Sequence, residues 1–177
     1  MAAQRLSPDA WTAAGFRALA DHGPSALKAE PLARALGTTK GSFYWHFDDV
    51  PAFHSAMLAD WEARAITEMT DTLEAHDDPR RALRALGKVA AQGAGSLDPA
   101  IRAWAREDED VAEALARVDA QREGYLRGLC SAMGLSNPEF ARMLYATLLG
   151  AQELAARDGT DPEPTMAAVV DLILALE

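Results

Sequence analysis

The sequence predicts an all-α protein of about nine helices. Apolar residues recur at helical spacing along most of the 177 residues, and no segment shows a convincing strand pattern. Gly, Pro or acidic residues separate one periodic segment from the next. A hydrophobic content of 49% is typical of a globular chain with a sizeable core. These observations favour a packed helical protein over a disordered or β-rich one.

The N-terminal helices have recognisable ends. Ser7-Pro8-Asp9 supplies a capping hydroxyl, a first-turn proline and a first-turn acid, and Gly23 ends the first helix. The second helix is expected to end at Gly37, and a short third helix covers about 39–44. Acidic Asp48-Asp49 then begins a long fourth helix. Apolar residues four apart mark its buried face: Phe53, Met57, Trp61, Ala65, Met69 and Leu73.

Five further helices are predicted after residue 79, with breaks that include Gly93-Ala94-Gly95 and the loop Asp158–Pro164. The last two, at 138–156 and 164–176, are apolar on more than one side. Such helices are usually buried on both sides. We therefore expect them to form a homodimer interface, as a four-helix arrangement across a two-fold axis. The alternative is that they are core helices of a monomer.

The charge is unevenly distributed. The net charge is −10, but residues 1–60 carry five Lys or Arg against six Asp or Glu, a net of −1. The remaining residues therefore carry −9. An acidic body repels nucleic acid and keeps non-specific binding weak, yet it allows a local contact built from a few cations and hydroxyls.

Residues 32–47 satisfy the requirements of a helix-turn-helix. Ala33 provides a small residue where two helices cross, Gly37 allows the turn, and Phe43 is placed to pack back onto the first helix. The N-terminal residues of the second helix then face the major groove. Lys, Ser, Tyr, Trp and His side chains follow one another there, and they suit phosphates and base edges better than a core.

The sequence from Leu32 to Phe47, LARALGTTKGSFYWHF, resembles the DNA-binding signature of the TetR family of transcriptional regulators. The close resemblance spans about residues 10–60. It implies a homodimer of nine-helix subunits, with a helix-turn-helix DNA-binding domain at 1–48 and a helical ligand-binding and dimerisation domain at 49–177. It also implies a double-stranded DNA operator and a small-molecule effector as partners, with a repressor as the usual role.

The resemblance assigns DNA contacts to particular residues. Lys40, Tyr44 and His46 would contact phosphates, while Thr39, Ser42 and Trp45 would meet bases or thymine methyls. The full set of predicted DNA-binding residues is Lys28, Thr38, Thr39, Lys40, Ser42, Tyr44, Trp45 and His46. Family members often carry a Lys or Arg shortly after the His-Phe pair, where Asp48-Asp49-Val50 stands here. One phosphate contact is therefore missing, which leaves open an all-α interaction protein without specific DNA binding.

Large aromatic and Met side chains predict an apolar effector pocket. Arg122 falls on the apolar stripe of its helix, so it must pair or reach water; Glu153, Gln152 or an acidic group on the effector are the candidates. For the aromatic and Met residues the alternative is an ordinary core. The predicted ligand-binding residues are Met57, Trp61, Trp104, Arg122, Tyr125, Phe140 and Met143.

Other classes of function lack support in the sequence. The four His residues lie in the first 80 residues and their spacing pairs them with no nucleophile or compact metal-ligand set, so we expect no enzyme, cofactor or metal. Cys130 is expected to be a buried hydrophobe, with a redox sensor as the alternative. The absence of a long apolar run and of a signal-peptide pattern predicts a cytoplasmic protein without membrane association.

Overall fold

The computed structural model describes residues 6–91 and 97–176. Within these residues the chain forms nine α-helices and no strand, which confirms the predicted fold class. A short 3-10 turn, Pro24–Ala26, joins the first two helices. The predicted break at Gly93-Ala94-Gly95 lies outside the described residues. The helices are α1 (Pro8–His22), α2 (Ala29–Ala35), α3 (Lys40–Tyr44), α4 (Val50–Glu74), α5 (Pro79–Ala91), α6 (Asp98–Trp104), α7 (Glu109–Ala132), α8 (Glu139–Asp158) and α9 (Glu163–Leu174).

Side-chain caps fix several helix starts at the predicted positions. The Ser7 hydroxyl accepts a hydrogen bond from the Ala10 amide at 3.3 Å, and the Asp49 carboxylate accepts one from the Ala52 amide at 2.7 Å. The predicted loop at 158–164 is too long, because α8 continues to Asp158 and α9 begins at Glu163. Pro164 lies in the first turn of α9, where the missing amide hydrogen costs no helical hydrogen bond.

The described residues pack into two compact units. Unit 1 comprises 6–63 and 100–115, and unit 2 comprises 64–91, 97–99 and 116–176. Helices α4, α6 and α7 each contribute residues to both units. Because the units are defined by packing, the functional division at residues 48 and 49 stays a prediction.

An aromatic cluster forms the core of unit 1. The ring of Phe43 lies 5.3 Å from the rings of Trp11 and Phe53 and 5.2 Å from that of Phe47, measured between centroids. Phe43 and Phe53 are fully buried. The contacts of Phe43 with Trp11 and Phe53 are edge-to-face and that with Phe47 is tilted, and such aromatic contacts add to the stabilisation from buried apolar surface. They hold α3 against α1 and the start of α4.

The turn between α2 and α3 is a Schellman motif. Gly37 has φ +63°, and its amide donates to the Arg34 carbonyl at 3.2 Å. The Thr38 amide donates to the Ala33 carbonyl at 2.9 Å. These two bonds satisfy the last carbonyls of α2 while the chain reverses. The predicted role of Gly37 in the turn is therefore confirmed. Ala33 is buried, and its position at the helix crossing stays a prediction.

Unit 2 has its own apolar core between α5, α7, α8 and α9. The packing of α5 on α9 is close at Gly87, where a Cβ atom would lie 3.2 Å from a methyl group of Val170. Cys130 lies in this core with 1% of its surface exposed, which confirms the hydrophobic role predicted for it. The buried members are Leu83, Leu86, Leu126, Cys130, Met133, Leu135, Ala141, Leu144, Tyr145, Val170 and Ile173.

Arg122 forms an ion pair inside unit 2. Its guanidinium donates to the Asp98 carboxylate, and the two side chains are 14% and 10% exposed. Burial lowers the pKa of Arg122, but the hydrogen bond and charge of Asp98, with a smaller contribution from Tyr145, raise it overall. Structural pairing of Arg122 is therefore observed. The structural partner is Asp98 and not Glu153 or Gln152, and Gln152 donates to the Ala90 carbonyl instead.

The Schellman turn predicts a specific cost for a side chain at Gly37. Gly37→Ala should lower the free energy of unfolding by about 1 kcal/mol, because a Cβ atom strains the left-handed backbone. Gly37→Asn is the control and should cost less, since Asn tolerates this conformation. Urea denaturation followed by circular dichroism measures both. An Ala variant as stable as the unmodified protein would contradict the assigned turn.

The burial of the Arg122–Asp98 pair predicts a large effect of breaking it. Asp98→Asn should lower the free energy of unfolding by about 3 kcal/mol, because it leaves a buried cation without its carboxylate. The matched control is Asp171→Asn, which breaks the exposed Arg84–Asp171 pair at 3.0 Å and should cost less than about 1 kcal/mol. Equal costs in thermal or urea denaturation would show that the Arg122–Asp98 pair is not buried.

Candidate nucleic-acid interface

Helix α3 presents one face to the core and the other to solvent. Phe43 points inward and is fully buried, whereas Tyr44 is 46% exposed and Trp45 is 79% exposed. The Lys40 ammonium lies 5.7 Å from the centroid of the Tyr44 ring, one turn along the helix. A cation beside an aromatic ring on an open surface suits contact with a phosphate and an adjacent sugar or base.

The predicted DNA-binding residues lie on an accessible surface around α3. Thr39 precedes α3, and its side chain makes no capping hydrogen bond to the helix, so its hydroxyl is not committed to the helix start. Lys28 lies at the corresponding position before α2, again without a side-chain cap. The exposed members are Lys28, Thr39, Lys40, Tyr44 and Trp45, and the half-buried members are Thr38, Ser42 and His46.

The electrostatics of this surface depend on few cations. Arg34 on α2 is paired with Glu30 at 3.2 Å, and both side chains are mostly exposed. Lys40 is the one Lys or Arg between residues 37 and 47. Asp49 stands near the position where the family often has a cation, and its carboxylate caps α4 instead. The departure from the family pattern therefore has a structural role in this chain.

The predicted ligand-binding residues divide between the two units. Met57, Trp61 and Trp104 are buried in unit 1. The Met57 side chain packs against Gly15, where a Cβ atom would lie 2.6 Å from its sulfur. Trp104 packs edge-on against His54, with ring centroids 4.9 Å apart. These contacts give Met57 and Trp104 core packing roles, and ligand contact stays a prediction for them.

In unit 2 the ligand prediction needs a correction. Tyr125 and Phe140 are half-buried, but Met143 is 48% exposed and does not lie on an inner face of the chain. The spacing of apolar residues did not identify the inner face of α8, because this helix carries apolar residues on more than one side. A surface groove of about 250 Å³ between α5 and α9 is lined by none of the predicted ligand residues; its lining includes Arg84, Lys88, Glu163 and Asp171.

Two further titratable groups of the described residues, Cys130 and His54, have structural roles. Burial raises the pKa of the Cys130 thiol, so little reactive thiolate forms near neutral pH. The His54 ring lies 3.3 Å from the Leu27 carbonyl, a structural contact. No group of three or more His, Cys, Asp or Glu side chains in this part of the chain is arranged to hold a metal ion. None of the described helices is long and apolar enough to span a membrane.

Comparison with known proteins agrees with this geometry. The model of the family described as bacterial regulatory proteins, tetR family, matches residues 12–49, which include α2, the Gly37 turn and α3. A search of curated proteins finds no match.

Solved structures match the chain over most of its length. A transcriptional regulator from Rhodococcus sp. Rha1 aligns with a TM-score of 0.82 at 20% identity, covering 96% of this chain and 97% of that one. NemR of E. coli, in its reduced form, aligns with a TM-score of 0.79 at 22% identity, covering 92% and 94%. SmeT, the repressor of the Stenotrophomonas maltophilia multidrug efflux pump SmeDEF, aligns with 0.71 at 22%, covering 97% and 90%.

At these identities the structural likeness establishes the fold, and the match over residues 12–49 establishes the kind of DNA-binding domain. The chain is thus similar to the TetR family of transcriptional regulators in its DNA-binding segment, and to solved transcriptional regulators in its fold.

Proposed function

We propose that this protein is a cytoplasmic transcriptional repressor that binds a palindromic DNA operator as a homodimer and is released by a small, largely apolar effector. TetR-family regulators are DNA-binding proteins without enzymatic activity, which agrees with the function expected from the sequence.

The observation that carries the proposal is the outer face of α3. Tyr44 and Trp45 are large aromatic residues held in solvent by the burial of their neighbour Phe43. Trp45 is 79% exposed beside the half-exposed Tyr44, and an aromatic surface of this kind is one that an external partner can cover. With Lys40 and Thr39 beside it, this face has the phosphate-binding and base-reading groups that the major groove requires.

Exposed apolar residues on α8 and α9 support the homodimer. Large hydrophobic residues with high exposure in the described chain fall into a few places: Tyr44 and Trp45 at α3, Val89 on α5, and Met143, Leu154, Leu172 and Leu176 on or directly after α8 and α9. Two such surfaces meeting across a two-fold axis would bury this area. A palindromic operator requires the two α3 helices of such a dimer to lie about 34–36 Å apart, one helical turn of DNA.

The effector is proposed to enter the helical domain and to favour a dimer that does not fit the operator. Half-buried Tyr125 and Phe140 retain apolar surface that a small molecule would cover. Arg122 is already paired with Asp98, so its contact with an effector would require an exchange of partners. An effector that binds the DNA-free conformation more tightly than the DNA-bound one by about 1–3 kcal/mol is enough to release DNA.

The proposed function is tested by selection of duplexes from a randomised library, followed by gel-shift titration of the enriched sequence. The expected product is an inverted repeat bound by two subunits. Failure to enrich any sequence would leave an all-α interaction protein as the better description. Salt-dependent binding to arbitrary duplexes would not suffice, because it needs no base contact.

Because the proposed interface has few cations, its affinity for DNA should depend strongly on Lys40. Lys40→Ala should weaken binding to all duplexes and reduce the slope of log K against log salt by about 0.9, the effect of one lost phosphate contact. Lys88→Ala on α5 is the matched control, with the same charge change at another exposed lysine. Equal effects of the two substitutions would show that general charge, and not the α3 surface, governs binding.

Hydroxyl groups at the interface should affect which sequence is preferred. Ser42→Ala or Thr39→Ala should change the ranking of operators with single base substitutions while leaving the salt slope close to that of the unmodified protein. Repeating the selection with each variant gives the ranking. An unchanged ranking for both would remove these residues from base recognition.

Because α9 exposes apolar residues at the proposed interface, a single acidic substitution there should disrupt the dimer. Leu172→Glu should produce monomers at micromolar concentration, because two charges would be buried near the two-fold axis. Val89→Glu is the control, since Val89 is exposed on α5, outside the proposed interface. Sedimentation equilibrium measures both. A dimeric Leu172→Glu variant, or an unmodified protein that is monomeric, would contradict the proposed interface.

A further inference from the structure

Helix α5 is basic, although the chain as a whole is acidic. The chain has 27 Asp or Glu against 17 Lys or Arg, whereas the 13 residues of α5 include four cations and no acid. At 100° per residue, the four side chains fall within an arc of about 100° and form one stripe along the helix. They are all exposed: Arg80, Arg81, Arg84 and Lys88. The proposed operator contacts involve none of them.

The groove between α5 and α9 lies at the edge of this basic stripe. Its volume of about 250 Å³ is just below the range of about 300–1,000 Å³ that ligand pockets usually have, so it suits a small molecule. Gly87 and Val170 are buried where the two helices approach closely, and with Ala167 they give the groove an apolar part. Arg84 and Lys88, one helical turn apart, supply its cations.

The cations of the groove have unused hydrogen-bond donors. Lys88 forms no hydrogen bond or ion pair with any of the described residues. Arg84 donates to the Asp171 carboxylate at 3.0 Å, but a guanidinium has five N–H groups, so others remain. The two acids of the lining, Glu163 and Asp171, already have interactions of their own. The groove is therefore better suited to an added anion than to an added cation.

We propose that the groove between α5 and α9 binds a small organic anion. Its carboxylate binds Arg84 and Lys88 through charge-assisted hydrogen bonds. Its apolar part covers Gly87, Ala167 and Val170, which favours an organic anion over an inorganic one. None of the ligand-binding residues predicted from the sequence lines this groove, so it is a second small-molecule site. The proposal goes beyond operator binding and does not depend on it.

The first test is isothermal titration calorimetry of the full-length protein with octanoate. Octylammonium has the same chain with the opposite charge, and sulfate has negative charge without a chain. Octanoate should bind at least about tenfold more tightly than either, a difference of one charge-assisted hydrogen bond or more. Octylammonium binding as tightly would show that the acids of the groove dominate, and sulfate binding as tightly would show that the apolar part adds nothing. Either result would overturn the proposal.

The second test locates octanoate by substitution. Lys88→Gln should weaken its binding about tenfold, the effect of one lost charge-assisted hydrogen bond. Arg127→Gln is the matched control, because it removes one positive charge from an exposed side chain on α7, outside the groove, and should leave the octanoate Kd unchanged. Ala167→Phe should fill the groove and remove octanoate binding. Since Ala167 is exposed, the melting temperature should change little.

An octanoate Kd that is unchanged in Lys88→Gln would show that the anion binds elsewhere in the chain, and it decides against the proposal even if Ala167→Phe does not fold. Absence of octanoate binding to the unmodified protein would contradict the proposal as well. Because the titrations contain no DNA, these results leave operator binding untouched. Failure to select an operator would, in turn, leave the groove proposal standing.

Discussion

The candidate nucleic-acid interface depends on the packing of the buried Phe43 ring, which orients α3. This ring lies among Trp11, Phe47 and Phe53, and it fixes the rotation of α3 about its own axis. Once that rotation is fixed, helical geometry alone places Tyr44 and Trp45 in solvent. The Schellman turn at Gly37 sets the angle at which α3 leaves α2. A short helix of five residues thereby acquires a defined outer face.

Charge has a complementary role. The chain carries −10 overall, and only Lys40 supplies a cation within residues 37–47. Long-range attraction to DNA is therefore weak, and short-range fit has to supply much of the affinity. Asp49 adds a carboxylate near the proposed DNA-contacting face, and this carboxylate caps α4. A regulator built in this way should discriminate strongly between its operator and other duplexes.

Much of the fold could be predicted from local signals. Helix starts at Ser7 and Asp49 and the turn at Gly37 follow from capping and backbone preferences, which act within a few residues. Contacts between distant elements could not be predicted this way. Asp98 lies 24 residues from Arg122, and spacing along one helix gives no information about a partner on another. Met143 was misplaced because α8 is apolar on more than one side, so periodicity did not identify its inner face.

The central claim is that two α3 helices enter successive major grooves of one operator. Methylation interference tests this most directly, because methylation at guanine N7 modifies only the major groove. Two clusters of interfering guanines are expected, centred about 10–10.5 base pairs apart and related by the symmetry of the operator. A single cluster, or tight binding that no N7 methylation disturbs, would contradict the claim.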